Sequence, residues 1–173
     1  MKDIDGGGLL GEKVAHVFTI EFQKRGLPHM HLLIFLEGQD KIKTRVQVNR
    51  VVSAEFSDAV QDPSFYDTIK NCMIYGPCSV RNPFAPCMDK GKCTKGYPKQ
   101  FVEKTTIGGD GYLIYRRRDD GQCHVNIKGQ PIDNRDAVPY NEYLSKKFNC
   151  HINVEVCASL RAFKYIHKYI YKG

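Results

Sequence analysis

Val14-Ala-His-Val-Phe-Thr-Ile-Glu-Phe22, followed after a short break by His29-Met-His-Leu-Leu-Ile-Phe-Leu36, is the stretch on which the fold turns. The first run alternates loosely and is rich in β-branched and aromatic residues, and the second is strand-like as well. Gly26 and Pro28 within Lys24-Arg-Gly-Leu-Pro28 suit a five-residue loop, so an antiparallel hairpin is expected. Alternate residues of a strand point to one face, so His29 and His31 project together. With Gln23 opposite His29, Glu21 falls opposite His31, and all four share that face. Two imidazoles beside a carboxylate or amide can hold a divalent cation and leave coordination positions for a phosphate. A half-buried strand carrying no metal would show the same pattern.

Working outward, Asp62-Pro63 reads as an N-cap with Pro at the first helical position, and Phe65, Ile69 and Cys72 recur at helical spacing. A helix over residues 63–74 follows. Residues 41–52 are basic and mixed, and read as a connection. Residues 75–111 hold little periodic pattern, and a loop of that length calls for a function or a metal. Tyr112-Leu-Ile-Tyr115 and His124-Val-Asn-Ile127 look like short strands around Arg116-Arg-Arg118. His151-Ile-Asn-Val-Glu-Val156 alternates strictly, which predicts a further strand, and residues 158–171 are helical in pattern. The order predicts an α+β domain: a central antiparallel sheet with helices packed on one face, plus a Cys-rich loop insertion. A Gly-rich leader over 1–13 and a single domain over 14–173, with its Cys-rich loop at 72–95, complete the expected organisation.

The chain has 173 residues, 42% of them hydrophobic and 26% charged, which suits a packed core and excludes a disordered or fibrous polypeptide. The longest apolar run is far short of the roughly 20 residues that span a bilayer. The first residues carry no hydrophobic signal core, so an intracellular protein without a membrane partner is expected. A net charge of +7 favours polyanionic partners.

Seven cysteines, an odd number, argue against a disulfide framework. Cys72, Cys78, Cys87 and Cys93 follow the spacing C-x5-C-x8-C-x5-C in a Pro- and Gly-rich stretch. Structural zinc sites more often use gaps of two to four residues, yet four thiols in such a loop still point to a zinc staple, with unliganded reduced cysteines as the alternative.

On the C-terminal helix, Leu160, Phe163, Ile166 and Ile170 form the apolar arc. Tyr165 and Tyr169 lie one turn apart on the other side, flanked by Arg161, Lys168 and Lys172. Two such phenols beside cations can attack phosphodiesters in succession. An amphipathic surface helix with half-buried tyrosines is the plainer alternative.

Several stretches, in one order, resemble a single family. They are Ile20-Glu-Phe-Gln-Lys-Arg-Gly-Leu-Pro-His-Met-His-Leu-Leu-Ile34, Val52-Ser-Ala-Glu-Phe56, Met73-Ile-Tyr-Gly-Pro-Cys78, Pro86-Cys-Met-Asp-Lys-Gly-Lys-Cys-Thr-Lys95, Tyr115-Arg-Arg-Arg118, Val138-Pro-Tyr-Asn141, His151-Ile-Asn-Val-Glu155 and Phe163-Lys-Tyr-Ile-His-Lys-Tyr-Ile-Tyr-Lys-Gly173. Together they resemble the Rep-like N-terminal domain of Helitron transposases, often labelled the Helitron helicase-like domain. The resemblance implies an HUH endonuclease, named for a His-hydrophobe-His strand, here His29-Met30-His31. It implies Mg²⁺ or Mn²⁺ held by the histidines with Glu21 or Gln23, and Glu155 as an outside candidate. Nicking and rejoining of single-stranded DNA through a 5′-phosphotyrosine link, in rolling-circle-like transposition, is implied too. Tyr165 and Tyr169 match the two nucleophiles, with Lys168, Arg161 and Lys172 balancing phosphate charge. Arg116, Arg117 and Arg118, beside Tyr112 and Tyr115, would track the strand. A helicase domain in the full-length family protein and a nuclear location are further implications. Tyr75 stands where the family often has His, which would remove a potential zinc ligand. An inactive transposon-derived DNA-binding module with a zinc-stapled loop is the alternative, and a zinc-stabilised interaction domain without nucleic acid a third.

Overall fold

Two runs of matching alternation, joined by a break with Gly and Pro, favour a hairpin, and it forms: β1 (Lys13–Phe22) pairs antiparallel with β2 (Pro28–Leu36). The computed structural model describes residues 9–22, 28–109 and 111–157. After the hairpin come α1 (Arg45–Val51), α2 (Pro63–Cys72), β3 (Met88–Asp89), β4 (Lys92–Cys93), β5 (Thr106–Ile107), β6 (Leu113–Ile114), β7 (His124–Val125), β8 (Pro131–Ile132) and α3 (Glu142–Phe148). The protein is thus a small α+β chain. The central sheet expected from the sequence is not seen among the described residues, where the strands pair two by two into separate antiparallel ladders. Six of the eight strands, β3 to β8, have only two residues each, too short to recruit a third. Among the described residues no helix is long and apolar enough to cross a membrane.

Two compact units divide the described residues. The first takes in 9–22, 28–44, 107–109, 111–113 and 157; the second is Arg45–Thr106 with Ile114–Val156. In the first, the ribbon is closed at its open end by the Glu37 amide donating to the Glu12 carbonyl at 2.8 Å. Phe22 pairs with Pro28, Glu21 with His29, and Thr19 with His31. The expected register is therefore corrected by two residues. Pro28 belongs to β2 rather than to the break expected over 24–28, because proline is tolerated as the first residue of a strand. A shift of two keeps every side chain on its expected face.

The second unit is built on α2. Asp62 accepts a hydrogen bond from the Phe65 amide at 3.0 Å and Pro63 opens the helix, as expected. Phe65 and Ile69, one turn apart, pack with Met73, Val138 and Tyr140 into the core. The spine of this unit is the buried run 136–141. Its Val138 amide donates to the Met73 carbonyl at 2.7 Å, and the Tyr75 amide to the Asp136 carbonyl at 2.9 Å. Tyr140 exchanges backbone hydrogen bonds with Ser53, and its hydroxyl donates to the Glu55 carbonyl at 2.8 Å. Asn141 caps α3, accepting from the Leu144 amide, while its own amide donates to the Val51 carbonyl at 2.7 Å.

The segment 151–156 alternates in burial as its sequence predicts, with Ile152, Val154 and Val156 half-buried. It forms no ladder. Instead its Val154 amide donates to the Pro139 carbonyl at 3.0 Å, and the Val156 amide to the Tyr115 hydroxyl at 2.9 Å.

Candidate functional site

On the hairpin, one face carries Thr19, Glu21, His29 and His31. The His29 and His31 ring centroids are 4.7 Å apart. Glu21 is directly opposite His29, and its Oε2 reaches diagonally to 3.4 Å from His31 Nε2. Diagonal neighbours on an antiparallel pair lie within reach of a long side chain, so the Glu21 carboxylate meets the His31 imidazole from its place opposite His29. Two nitrogens and one carboxylate oxygen are a donor set of the kind Mn²⁺ accepts, but their ligand atoms are not gathered as closely as those of the three thiols described next, which form the one such group among the described residues. Gln23 lies outside the described residues. Glu155 belongs to the other unit, where its carboxylate accepts from the Asn153 amide at 3.1 Å.

The cysteine-rich stretch has its own local logic. Cys87 immediately precedes β3 and Cys93 ends β4, paired with Met88, and the two-residue loop between the strands is Lys90-Gly91 with φ +47 and +76. Two successive positive φ values make a type I′ loop, for which Gly at the second place is favoured. Gly76, at φ +100, turns the chain into Cys78; a Cβ there would lie 2.9 Å from the Cys78 amide nitrogen. The outcome is that the Cys78, Cys87 and Cys93 sulfurs all lie within 4.8 Å of one another. Such a trio can hold a metal such as zinc, whose thiolate ligands sit at about 2.3 Å from the ion. Burial pushes the Cys78 thiol up to about 12, with the neighbouring Cys93 and Cys87 sulfurs adding to the rise. Burial also acts upward on Cys93, but the Tyr97 and Lys95 backbone amides and the other two thiols outweigh it and bring it to about 7. Cys72 is not part of the group. It ends α2, where its thiol faces the Asn149 carbonyl at 3.8 Å.

The arginine tract is divided between interior and surface. Arg117, expected along a DNA strand, is only 4% exposed. Its Nη1 donates to the carbonyls of Asn134 at 2.7 Å, Ala137 at 2.5 Å and Ala54 at 3.2 Å. Nothing in a run of three arginines marks the middle one as interior; the carbonyls that hold it come from distant segments. Arg116 and Arg118 both grip the buried carboxylate of Glu55, at 3.0 and 2.8 Å, while keeping part of their surface in solvent. Glu55 itself was not expected to matter. Burial alone would raise its carboxyl, but hydrogen bonds from Arg118 and the charges of Arg116 and Arg118 win and hold it below its ordinary value. A depressed folded pKa means that the charged form stabilises the fold above the unfolded value and that this contribution is lost as pH falls through the folded one. Glu55→Gln is therefore expected to cost about 1–3 kcal/mol in urea unfolding at pH 7, and the gap to wild type to narrow as pH drops below about 4.5. A gap that stays constant down to pH 3 would contradict this.

Tyr165, Tyr169, Lys168, Arg161 and Lys172 lie outside the described residues. Among known proteins, a family model described as the Helitron helicase-like domain at the N-terminus matches residues 1–34, which include β1 and the His29-Met30-His31 motif. No curated protein matches the chain. Over its first 34 residues the chain is thus similar to a Helitron domain, which points to a transposon-related function.

Proposed function

We propose that this chain is a Helitron-type Rep domain that nicks and rejoins single-stranded DNA by metal-assisted tyrosine attack. The observation that carries the proposal is the imidazole pair of His29 and His31 on one strand face with the Glu21 carboxylate 3.4 Å from His31. It falls within the segment similar to the Helitron family. His29, His31 and Glu21 would hold Mg²⁺ or Mn²⁺, which would supply Lewis-acid polarisation of the scissile phosphate. Tyr165 or Tyr169 attacks phosphorus in line, leaving a 5′-phosphotyrosine and a free 3′-hydroxyl; attack by a 3′-hydroxyl on that link rejoins the strand. Lys168, Arg161 and Lys172 offset phosphate charge, and the solvent-facing parts of Arg116 and Arg118 add to the cationic surface. Cys78, Cys87 and Cys93 would hold a structural Zn²⁺, which would fix the loop between α2 and β5.

A 3′-labelled single-stranded oligonucleotide incubated with Mn²⁺ is expected to give a covalent protein adduct on a denaturing gel. Replacing both histidines by Ala, or both Tyr165 and Tyr169 by Phe, should lower adduct formation by about 100-fold or more. No adduct with any sequence in either metal refutes the cleavage. Salt-sensitive binding that the double Phe variant leaves unchanged would instead make the chain a DNA-binding module, the alternative that the thiol cluster also favours.

A further inference from the structure

We propose that the outward surface of the thiol-bearing segment binds single-stranded nucleic acid, with Phe84 as the platform on which a base stacks and Lys90, Lys92 and Lys95 holding the adjoining phosphates. The proposal rests on the reading above for the identity of the strand and adds a surface that the reading does not use. The arginine tract is largely engaged within the fold, Arg117 in the interior and Arg116 and Arg118 on the Glu55 carboxylate. Between Cys87 and Lys99, by contrast, four lysines stand with a single acid, Asp89. Three of those lysines, Lys90, Lys92 and Lys95, are exposed.

Local structure fixes where these groups stand. Two successive turns lead into β3: the Ala85 amide donates to the Asn82 carbonyl at 3.2 Å, and the Met88 amide to the Ala85 carbonyl at 2.9 Å. Phe84 is the second central residue of the first turn, directly after Pro83, whose fixed φ presets such a turn. It is 93% exposed. Both flanks of the turn are tied down. Arg81 donates to the Asp136 carboxylate and, at 2.8 Å, to the Pro131 carbonyl, while the Cys87 sulfur lies within 4.8 Å of the other two. An aromatic held out in water on a fixed turn adds nothing to the core and offers its ring to a partner. Successive residues of a strand point to opposite faces, so in β4 the turn of Cys93 into the thiol cluster sends Lys92 outward. Asp89 is its cross-strand partner, and Lys90 stands in the loop at the hairpin tip. From Phe84 to Lys90 the chain reaches at most about 20 Å, the length of a few nucleotides. On the other side, Asn82 and Ala85, which bracket the Phe84 turn, line an open cleft of about 330 Å³ together with Lys128 and Gln130. A strand stacked on Phe84 thus meets cations toward the hairpin tip, and a further cation with two amides at the cleft. Charge alone would attract any polyanion; the exposed ring selects a single strand, because paired bases present no free face and carboxylates have none.

The experiment is fluorescence anisotropy of a labelled oligothymidylate with the full chain over a range of salt concentrations, without added Mg²⁺ or Mn²⁺ so that no cleavage intervenes. Replacing Lys90, Lys92 and Lys95 together by Gln is expected to flatten the slope of log affinity against log salt by about 2, at about 0.7 per phosphate contact. Phe84→Leu should weaken binding about 10-fold at an unchanged slope, and Phe84→Trp should hold it near wild type, because stacking needs a π-face and not merely apolar area. All four positions are exposed, so urea midpoints should match wild type and separate lost binding from unfolding. A triple variant with the wild-type slope, or a Phe84→Leu variant of wild-type affinity, overturns the surface and leaves the nicking reading to its adduct assay. Poly-glutamate that competes as well as unlabelled oligothymidylate also overturns it, and makes the patch a site for acidic chains in general. Wild type that binds no oligonucleotide removes this surface and the DNA reading together.

Discussion

Arg117→Met is expected to lower folding stability by about 3–5 kcal/mol, read as a fall in the urea midpoint without loss of cooperativity. Met preserves much of the apolar stem volume, so the change isolates the guanidinium. That group reaches three carbonyls of the second unit, that of Ala54 from one segment and those of Asn134 and Ala137 from another. It also contacts the Tyr97 hydroxyl. A buried carbonyl stripped of its donor costs about 1–3 kcal/mol, and orphaning three at once sums to somewhat less than three times that, since the site relaxes. Burial lowers the Arg117 pKa from its usual value, with Tyr97, Asp136 and Glu55 pulling it back up. Arg117→Lys should recover part of the loss, because an ammonium keeps the charge but lacks the planar fork that spans three acceptors. The alternative role, contact with DNA phosphate, makes the opposite prediction: weaker, less salt-dependent DNA binding with an unchanged midpoint. A loss below about 1 kcal/mol would show the carbonyls to be satisfied without Arg117.

The contrast between Arg117 and its neighbours shows what the sequence could and could not carry. Local periodicity was legible: the alternation in β1 and β2, and the Asp62-Pro63 cap with Phe65 and Ile69 behind it, are patterns set by nearest neighbours. The histidine face was legible for the same reason. The register was not, because Gly26 and Pro28 mark a break without fixing its length, and only parity survived. Helices α1 and α3 were missed: each is seven residues long, too short for a stripe to show. Their placement leans on Asn141 reaching back to Val51, ninety positions away. Long-range contacts also decided the arginines. Glu55 lies 61 and 63 residues from the arginines it pairs with, so a run of charge could not disclose which members face inward. Of the four cysteines, Cys72 fits the apolar stripe of α2, the feature that withdraws it from the cluster. The terminal tyrosines stay where the sequence put them, as an expectation on residues outside the described part.

Removing metal from the thiol centre is expected to produce a comparable loss: about 4 kcal/mol between chelator and Zn²⁺ held at roughly a thousand times its dissociation constant. The reason is that, between Cys78 and Pro98, one strong tie holds the segment to the spine, the Arg81 guanidinium on the buried Asp136 carboxylate, and the rest are turns. Phe84 and Val80 are exposed, β3 and β4 have two residues each, and the side chains of the thiol cluster are the main point where the segment closes on itself. A loop of this kind stays ordered only if something offsets its conformational entropy, about 1–2 kcal/mol per residue. A staple at three points does so, and the Tyr75–Tyr97 stack carries the constraint inward, since the Tyr97 hydroxyl touches Arg117 and Arg117 holds the spine carbonyls. Thermal melts in Zn²⁺ and in chelator should therefore differ for wild type and for Cys72→Ser, and coincide for Cys87→Ser and Cys93→Ser. Amide hydrogen exchange should localise the change to residues 85–97 first and to the 136–140 run second. If Cys72→Ser also lost its response to zinc, the cluster would have to be rebuilt around four thiols. A wild-type melt indifferent to chelator would leave Cys78, Cys87 and Cys93 as packed, unliganded thiols and put the order of this loop on its turns and the Arg81–Asp136 pair.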